Sequence, residues 1–111
     1  MSGARERIEA ENAALLRAFV RDGRIVSFPA KWSRKLVLLD WAVQSFEPGR
    51  AYTEADVNAV LTSLVAERGA DDPDARADHV TLRRYLVDAD LLGRENGFYW
   101  RTGGSVDVEV E

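Results

Sequence analysis

Four stretches of the chain repeat apolar residues every three or four positions. This is the spacing of a helix with one buried face. Helices are therefore predicted over residues 4–22, 32–46, 54–68 and 78–89. The second stretch has the clearest stripe, and its expected buried residues are Trp32, Leu36, Leu39, Val43 and Phe46.

A β-hairpin is predicted over residues 92–101. Its signal is Asn96-Gly97 between β-prone segments, because this dipeptide favours the tight turn that suits strand twist. Residues 24–28 are also β-prone and stop at Pro29, so we expect an edge strand beside the hairpin. A helix that leads directly into a hairpin is how a winged helix ends. The predicted fold class is mainly α with a small β-hairpin (α+β), winged helix-turn-helix-like and preceded by an extra N-terminal helix.

Three segments are expected along the chain. Residues 1–24 contain an N-terminal helix with a thin apolar stripe, which is either a candidate dimerisation element or a solvated helix lying on its own domain. Residues 25–103 form the winged-helix-like domain, and residues 104–111 form an acidic tail. Within the domain, residues 69–77 are an acidic loop whose role the pattern does not indicate.

Capping residues mark the starts of the last two helices. Thr53 suits an N-cap, and Asp56 three residues later would complete a capping box. Asp74 or Asp78 can cap the helix that follows the acidic loop. These residues therefore have a structural explanation.

Other polar residues are expected to join two helices. Asn58 lies on an otherwise apolar helix, which favours a hydrogen bond between packed helices. Arg83 or Arg84 is expected to pair with Glu54 or Asp56 and so hold the helices together. Glu54, Asn58 and Asp78 are accordingly predicted to be structural polar residues.

The composition excludes several classes of protein. The hydrophobic fraction of 46% and the charged fraction of 31% are those of a folded soluble domain. No apolar run approaches the ~20 residues of a membrane span. The N-terminus has no apolar signal region, so a cytoplasmic location is expected. The absence of cysteine excludes disulfides, zinc fingers and thiol catalysis.

No catalytic, metal or cofactor site is predicted. His79 is the only histidine, and its place in the first turn of a capped helix favours a structural role over acid–base catalysis. The segment DDPDARAD lacks the glycine and the closing glutamate of a calcium loop. There is no phosphate loop and no nucleophile motif, so we expect a protein that is not an enzyme.

Two blocks of residues resemble the domain-of-unknown-function 2087 (DUF2087) family over about residues 25–101. The more specific motifs are YTEADVN at residues 52–58 and LRRYLVDADLLGR at residues 82–94. The resemblance implies a small winged-helix-like domain, found alone or behind ArsR-type helix-turn-helix regulators and associated with transcription. It implies no catalytic residues.

The leading hypothesis is a transcriptional regulator that binds DNA, as a homodimer, with helix 78–89 as recognition helix and hairpin 92–101 as wing. The net charge of −4 opposes it, although the acidic residues concentrate in the middle loop and the last residues. The alternative is a protein-interaction or dimerisation module without DNA contact. If Arg84, Arg94, Arg101 and Lys35 lie on a common face, DNA binding is favoured. If they do not, the interaction module is favoured. The full set of candidate DNA-binding residues is Lys31, Arg34, Lys35, Thr81, Arg83, Arg84, Tyr85, Arg94 and Arg101.

Overall fold

The computed structural model describes residues 2–66 and 76–104. Its helices are α1 (Ser2–Phe19), α2 (Trp32–Val43), α3 (Glu54–Leu64) and α4 (His79–Asp88). Its strands are β1 (Val20–Arg21), β2 (Arg24–Ile25), β3 (Ala51–Thr53), β4 (Leu92–Glu95) and β5 (Phe98–Arg101). Nearly all of the acidic loop and the acidic tail lie outside the described residues.

The C-terminal hairpin forms where it is predicted. β4 pairs with β5, and β3 pairs with the other edge of β5, which gives an antiparallel sheet of order β3-β5-β4. Between β4 and β5, Asn96 and Gly97 have φ angles of 53° and 81°. Two positive φ angles define the turn that Asn-Gly favours. The order α2-β3-α3-α4-β4-β5 is that of a winged helix, so the predicted fold class is confirmed.

The strand beside the terminal hairpin is β3 and not the predicted segment. Residues 24–28 were the candidates, but β2 pairs instead with β1 through a turn in which Asp22 and Gly23 both have positive φ. Asp-Gly favours the same turn as Asn-Gly, so it forms a second hairpin. The first helix therefore ends at Phe19 and not at residue 22, because Val20 and Arg21 form β1. At the end of β2, the carbonyl of Ile25 accepts a hydrogen bond from the amide of Ala66. This bond ties the β1–β2 hairpin to the residues that follow α3.

The predicted caps are present on α3 and α4. The hydroxyl of Thr53 accepts from the amide of Asp56 at 3.1 Å, and the Asp56 carboxylate accepts from the amide of Thr53 at 3.3 Å. These two bonds form a capping box. On α4 the carboxylate of Asp78 accepts from the amide of Thr81 at 2.8 Å. Both helices therefore begin at residues that satisfy amides left free in the first turn.

The buried face of α2 differs in part from its predicted stripe. Trp32 and Leu36 are 43% and 38% exposed, so the prediction that these two side chains are buried is wrong. Spacing determines the direction in which a side chain points, but other elements decide whether it is covered at that point along the helix. The buried side chains of this segment are Leu38, Leu39, Ala42, Val43 and Phe46.

Helix α1 is anchored only by its second half. Leu16 and Phe19 pack against the core, whereas residues 3–11 are all exposed. Ile8 lies in this first half, with 58% of its surface exposed. The first half of α1 therefore does not lie on the described domain.

Candidate nucleic-acid interface

Helix α4 has a buried face and an outward face. Leu82 and Leu86 are fully buried, which fixes the orientation of the helix against the core. Residues four positions apart lie on the same side of a helix. Val80, Arg84 and Asp88 consequently form a row on the opposite side, and all three are exposed.

A surface cavity of about 360 Å³ lies between this outward face and β4. Its lining includes three arginines and one aspartate, so at neutral pH the cavity carries an excess of positive charge. Two valines make the remainder of the wall apolar. The lining residues are Val80, Arg83, Arg84, Val87, Asp88 and Arg94.

Arg94 reaches the cavity from the wing. In the register of the hairpin, Arg94 is opposite Tyr99, and Leu92 is opposite Arg101. Paired residues and alternate residues of a strand share a sheet face. Because Leu92 and Tyr99 are buried, this is the face that packs toward the helices. The register therefore directs Arg94 toward α4.

Arg83 is held in place by α3. Its guanidinium donates to the side-chain oxygen of Asn58 at 2.7 Å and lies 3.3 Å from the carboxylate of Glu54. The predicted pairing is thus confirmed for Arg83 with Glu54, and the predicted helix-packing hydrogen bond is confirmed for Asn58. The side chain of Glu54 is 61% exposed, so water screens this ion pair and most of the constraint comes from the shorter bond to Asn58.

Arg101 does not join the basic face. Its guanidinium donates to the carbonyl of Gly103 at 2.9 Å and to the carbonyl of Phe46 at 3.1 Å. These bonds tie the end of β5 to the segment that follows α2. The common face of Arg84, Arg94, Arg101 and Lys35 that would favour DNA therefore does not form.

Tyr85 packs toward α2. Its ring makes edge contacts with Phe28 and Trp32, at centroid distances of 5.1 and 6.1 Å. The ammonium group of Lys35 lies 5.2 Å from the centre of the Tyr85 ring and donates to the carbonyl of Ala30. Tyr85 was a candidate DNA-binding residue, but the aromatic residues before and within α2 cover its ring.

The remaining candidates lie in different places. Lys31 and Arg34 are exposed at the start of α2, and Arg34 lines a separate cavity between α1 and α2. Thr81 is half-buried, and its hydroxyl donates to Asp78, so it belongs to the cap of α4. Of the predicted residues, the α4 cavity gathers Arg83, Arg84 and Arg94.

Val80 belongs to this cavity and was not among the predicted site residues. It lies one turn before Arg84, on the side of α4 opposite Leu82 and Leu86. That position is visible in the helical spacing, but an exposed valine carries no functional signal without the cavity around it.

Residues 24–101 match the sequence model of a family described as "Uncharacterized protein conserved in bacteria (DUF2087)". The match covers more than half of the chain. The protein belongs to the DUF2087 family. Comparison with curated proteins and with solved structures found no match. The DUF2087 match includes β2, α2, α3, α4 and the wing, and begins after α1.

Two further properties of this DUF2087 chain concern only its described part. No helix there has both the length and the apolar character needed to cross a bilayer. Within residues 2–66 and 76–104, histidine and acidic side chains form no cluster of three or more that could hold a metal ion.

Proposed function

We propose that this DUF2087 domain binds duplex DNA and acts in transcription regulation, with α4 as its recognition helix and the β4–β5 hairpin as its wing. The observation that carries the proposal is the arginine-lined cavity on the outward face of α4. In helix-turn-helix proteins the corresponding helix enters the major groove. The three arginines supply the positive charge that such a contact needs.

The distribution of charge along the chain supports this proposal. Residues 24–66 and 76–104 contain ten Lys and Arg against eight Asp and Glu, a net charge of +2. Residues 67–75 and 105–111 contain seven acidic residues and one arginine, a net charge of −6. Residues 1–23 are neutral, with four of each sign. The overall −4 thus arises outside the winged-helix elements.

Arg101 and Tyr85 are left out of the proposed contact. The common basic face of Arg84, Arg94, Arg101 and Lys35 does not form, and its absence favours the second candidate function below, an interaction module without DNA contact. The proposal rests instead on the winged-helix order of elements and on Arg83, which joins Arg84 and Arg94 at the cavity.

Direct DNA contact can be tested by fluorescence anisotropy with a random-sequence duplex of about 30 base pairs. We expect a dissociation constant of roughly 10⁻⁴ to 10⁻⁶ M near physiological salt, and tighter binding at about 50 mM than at about 200 mM NaCl. The double variant Arg84→Glu/Arg94→Glu should lose this binding, because it replaces two attractive charges at the cavity by repulsive ones.

A matched control is Arg50→Glu. Arg50 is exposed and precedes β3, at the opposite edge of the sheet from Arg94. This variant changes the net charge by −2, as the single variant Arg84→Glu does, and it should leave binding nearly intact while Arg84→Glu weakens it. A folded wild-type protein that binds no duplex at either salt concentration would contradict the proposal. Equal losses in Arg50→Glu and in Arg84→Glu would show that net charge matters and the cavity does not.

The second candidate function is a protein-interaction or homodimerisation module without DNA contact, and the first half of α1 favours it. Residues 3–11 are exposed and include Ile8, a large apolar residue that nothing in the described structure covers. Light scattering on the full chain should then report a dimer, and Ile8→Asp should convert it to a monomer.

Ala10→Asp is the matched control for Ile8→Asp. It adds the same charge about 200° around the helix from Ile8. This variant should remain dimeric. A wild-type chain that is monomeric at all accessible concentrations would exclude homodimerisation through α1.

A further inference from the structure

The three arginines of the α4 cavity differ in how they are held. The side chain of Arg83 is only 21% exposed and is bound to Asn58 and Glu54. Arg84 and Arg94 are exposed, and neither side chain makes a hydrogen bond or ion pair with the described part of the chain. Arg83 is therefore part of the contact between α3 and α4, whereas Arg84 and Arg94 are able to reach a ligand.

Arg84 and Arg94 also differ in the element that carries them. Arg84 is on α4, and in a helix-turn-helix domain the N-terminal part of this helix approaches base edges. Arg94 is on β4, in the wing, next to Glu95. About half to two-thirds of protein–DNA hydrogen bonds go to phosphates and sugars, which position the protein without reading sequence, and we assign Arg94 to this class of contact.

The outward row of α4 changes character along its length. Val80 is near the N-terminus of the helix and is 52% exposed, Arg84 is one turn later, and Asp88 is the last residue. The carboxylate of Asp88 repels phosphates, whereas Val80 and Arg84 do not. The row therefore favours insertion of α4 into the groove from its N-terminus as far as Arg84.

We propose that Arg84 determines sequence specificity by donating two hydrogen bonds to O6 and N7 of a guanine, with Val80 contacting the methyl group of a nearby thymine. This inference rests on the proposed DNA binding. In the major groove, a bidentate arginine distinguishes guanine from the other bases, and an apolar side chain distinguishes thymine by its methyl group. Helix residues four apart are about 5–6 Å apart, and stacked bases about 3.4 Å. The two bases are therefore one or two steps apart.

The test is selection of preferred sites from a random duplex pool, with wild type, Arg84→Ala and Arg94→Ala. The wild type should enrich a motif with guanine one or two positions from thymine. Arg84→Ala should lose the guanine preference and bind the selected site about tenfold more weakly. Arg94→Ala should weaken binding to all duplexes to a similar extent. It should also reduce the slope of the binding constant against salt concentration, on logarithmic axes, by about one.

A change in the DNA tests the thymine contact. Replacing the selected thymine by deoxyuridine removes only the methyl group, so it should weaken binding of the wild type and have no effect on Val80→Ala. Thermal unfolding of each variant serves as the control for folding, and both substituted side chains are exposed.

The outcomes separate this inference from the function on which it depends. If the wild type binds no duplex, the proposed DNA binding is wrong. If the wild type binds DNA but Arg84→Ala weakens every sequence equally and keeps the guanine preference, DNA binding stands and the role of Arg84 in specificity is wrong. If the wild type binds the thymine and the deoxyuridine sites with the same affinity, the contact of Val80 with the methyl group is excluded.

Discussion

Leu86→Ala is expected to lower the free energy of unfolding by about 3 kcal/mol, because Leu86 is fully buried and its truncation leaves a cavity that the core fills only in part. Leu86 is on the face of α4 opposite the arginine-lined cavity. Its loss should therefore weaken DNA binding as well, by loosening the helix that carries Arg84. Urea denaturation followed by circular dichroism measures the change in stability.

The control for this substitution is Leu36→Ala. It removes the same atoms from a side chain that is 38% exposed, so little cavity forms and the loss should stay near 1 kcal/mol or below. Similar losses at positions 36 and 86 would contradict the assignment of Leu86 to the core and with it the orientation of α4.

Gly93→Ala is expected to destabilise the wing by about 2 kcal/mol. A methyl group at Gly93 would lie 2.7–2.8 Å from three atoms of the Trp100 indole, on the strand paired with β4. These distances are shorter than van der Waals contacts, and overpacking of this kind costs about 1–3 kcal/mol. The ring is large and rigid, so it must move as a unit, and Arg94 is the next residue along the strand. We expect the same variant to weaken DNA binding.

A double-mutant cycle isolates the contact between Gly93 and Trp100. In a Trp100→Ala background the added methyl group meets no ring, so the cost of Gly93→Ala should fall to a few tenths of a kcal/mol. Gly3→Ala provides the matched control, because no atom lies within 4 Å of the added methyl group and alanine is the better helix former. An unchanged cost in the absence of Trp100 would contradict the packing of the wing.

Local sequence signals predicted the terminal hairpin and the helix starts because each depends on a few adjacent residues. Asn96-Gly97 determines a turn through its backbone preferences. Thr53 and Asp78 cap helices by bonds that span three residues. The same reasoning applied to Asp22-Gly23 would have found the β1–β2 hairpin. By contrast, β3 has only three residues, and it is a strand because β5 lies beside it.

The candidate site was only partly predictable, because a basic residue does not reveal its partner. Arg83, Arg84, Arg94 and Arg101 look alike in the sequence. In the fold, Asn58 holds Arg83, and the carbonyls of Phe46 and Gly103 hold Arg101. Asn58 and Phe46 are 25 and 55 residues away along the chain from the arginines they bind. No local pattern contains these pairs.

The sequence by itself determined the order of the helices and the terminal hairpin, the caps, the Asn96-Gly97 turn and the membership of the DUF2087 family. Each of these depends on periodicity or on neighbouring residues. The tertiary structure decided which arginines stay available to a ligand, that Val80 joins them, and that β3 and not the segment after α1 completes the sheet. Availability depends on contacts between elements that are distant in sequence, and only packing brings those elements together.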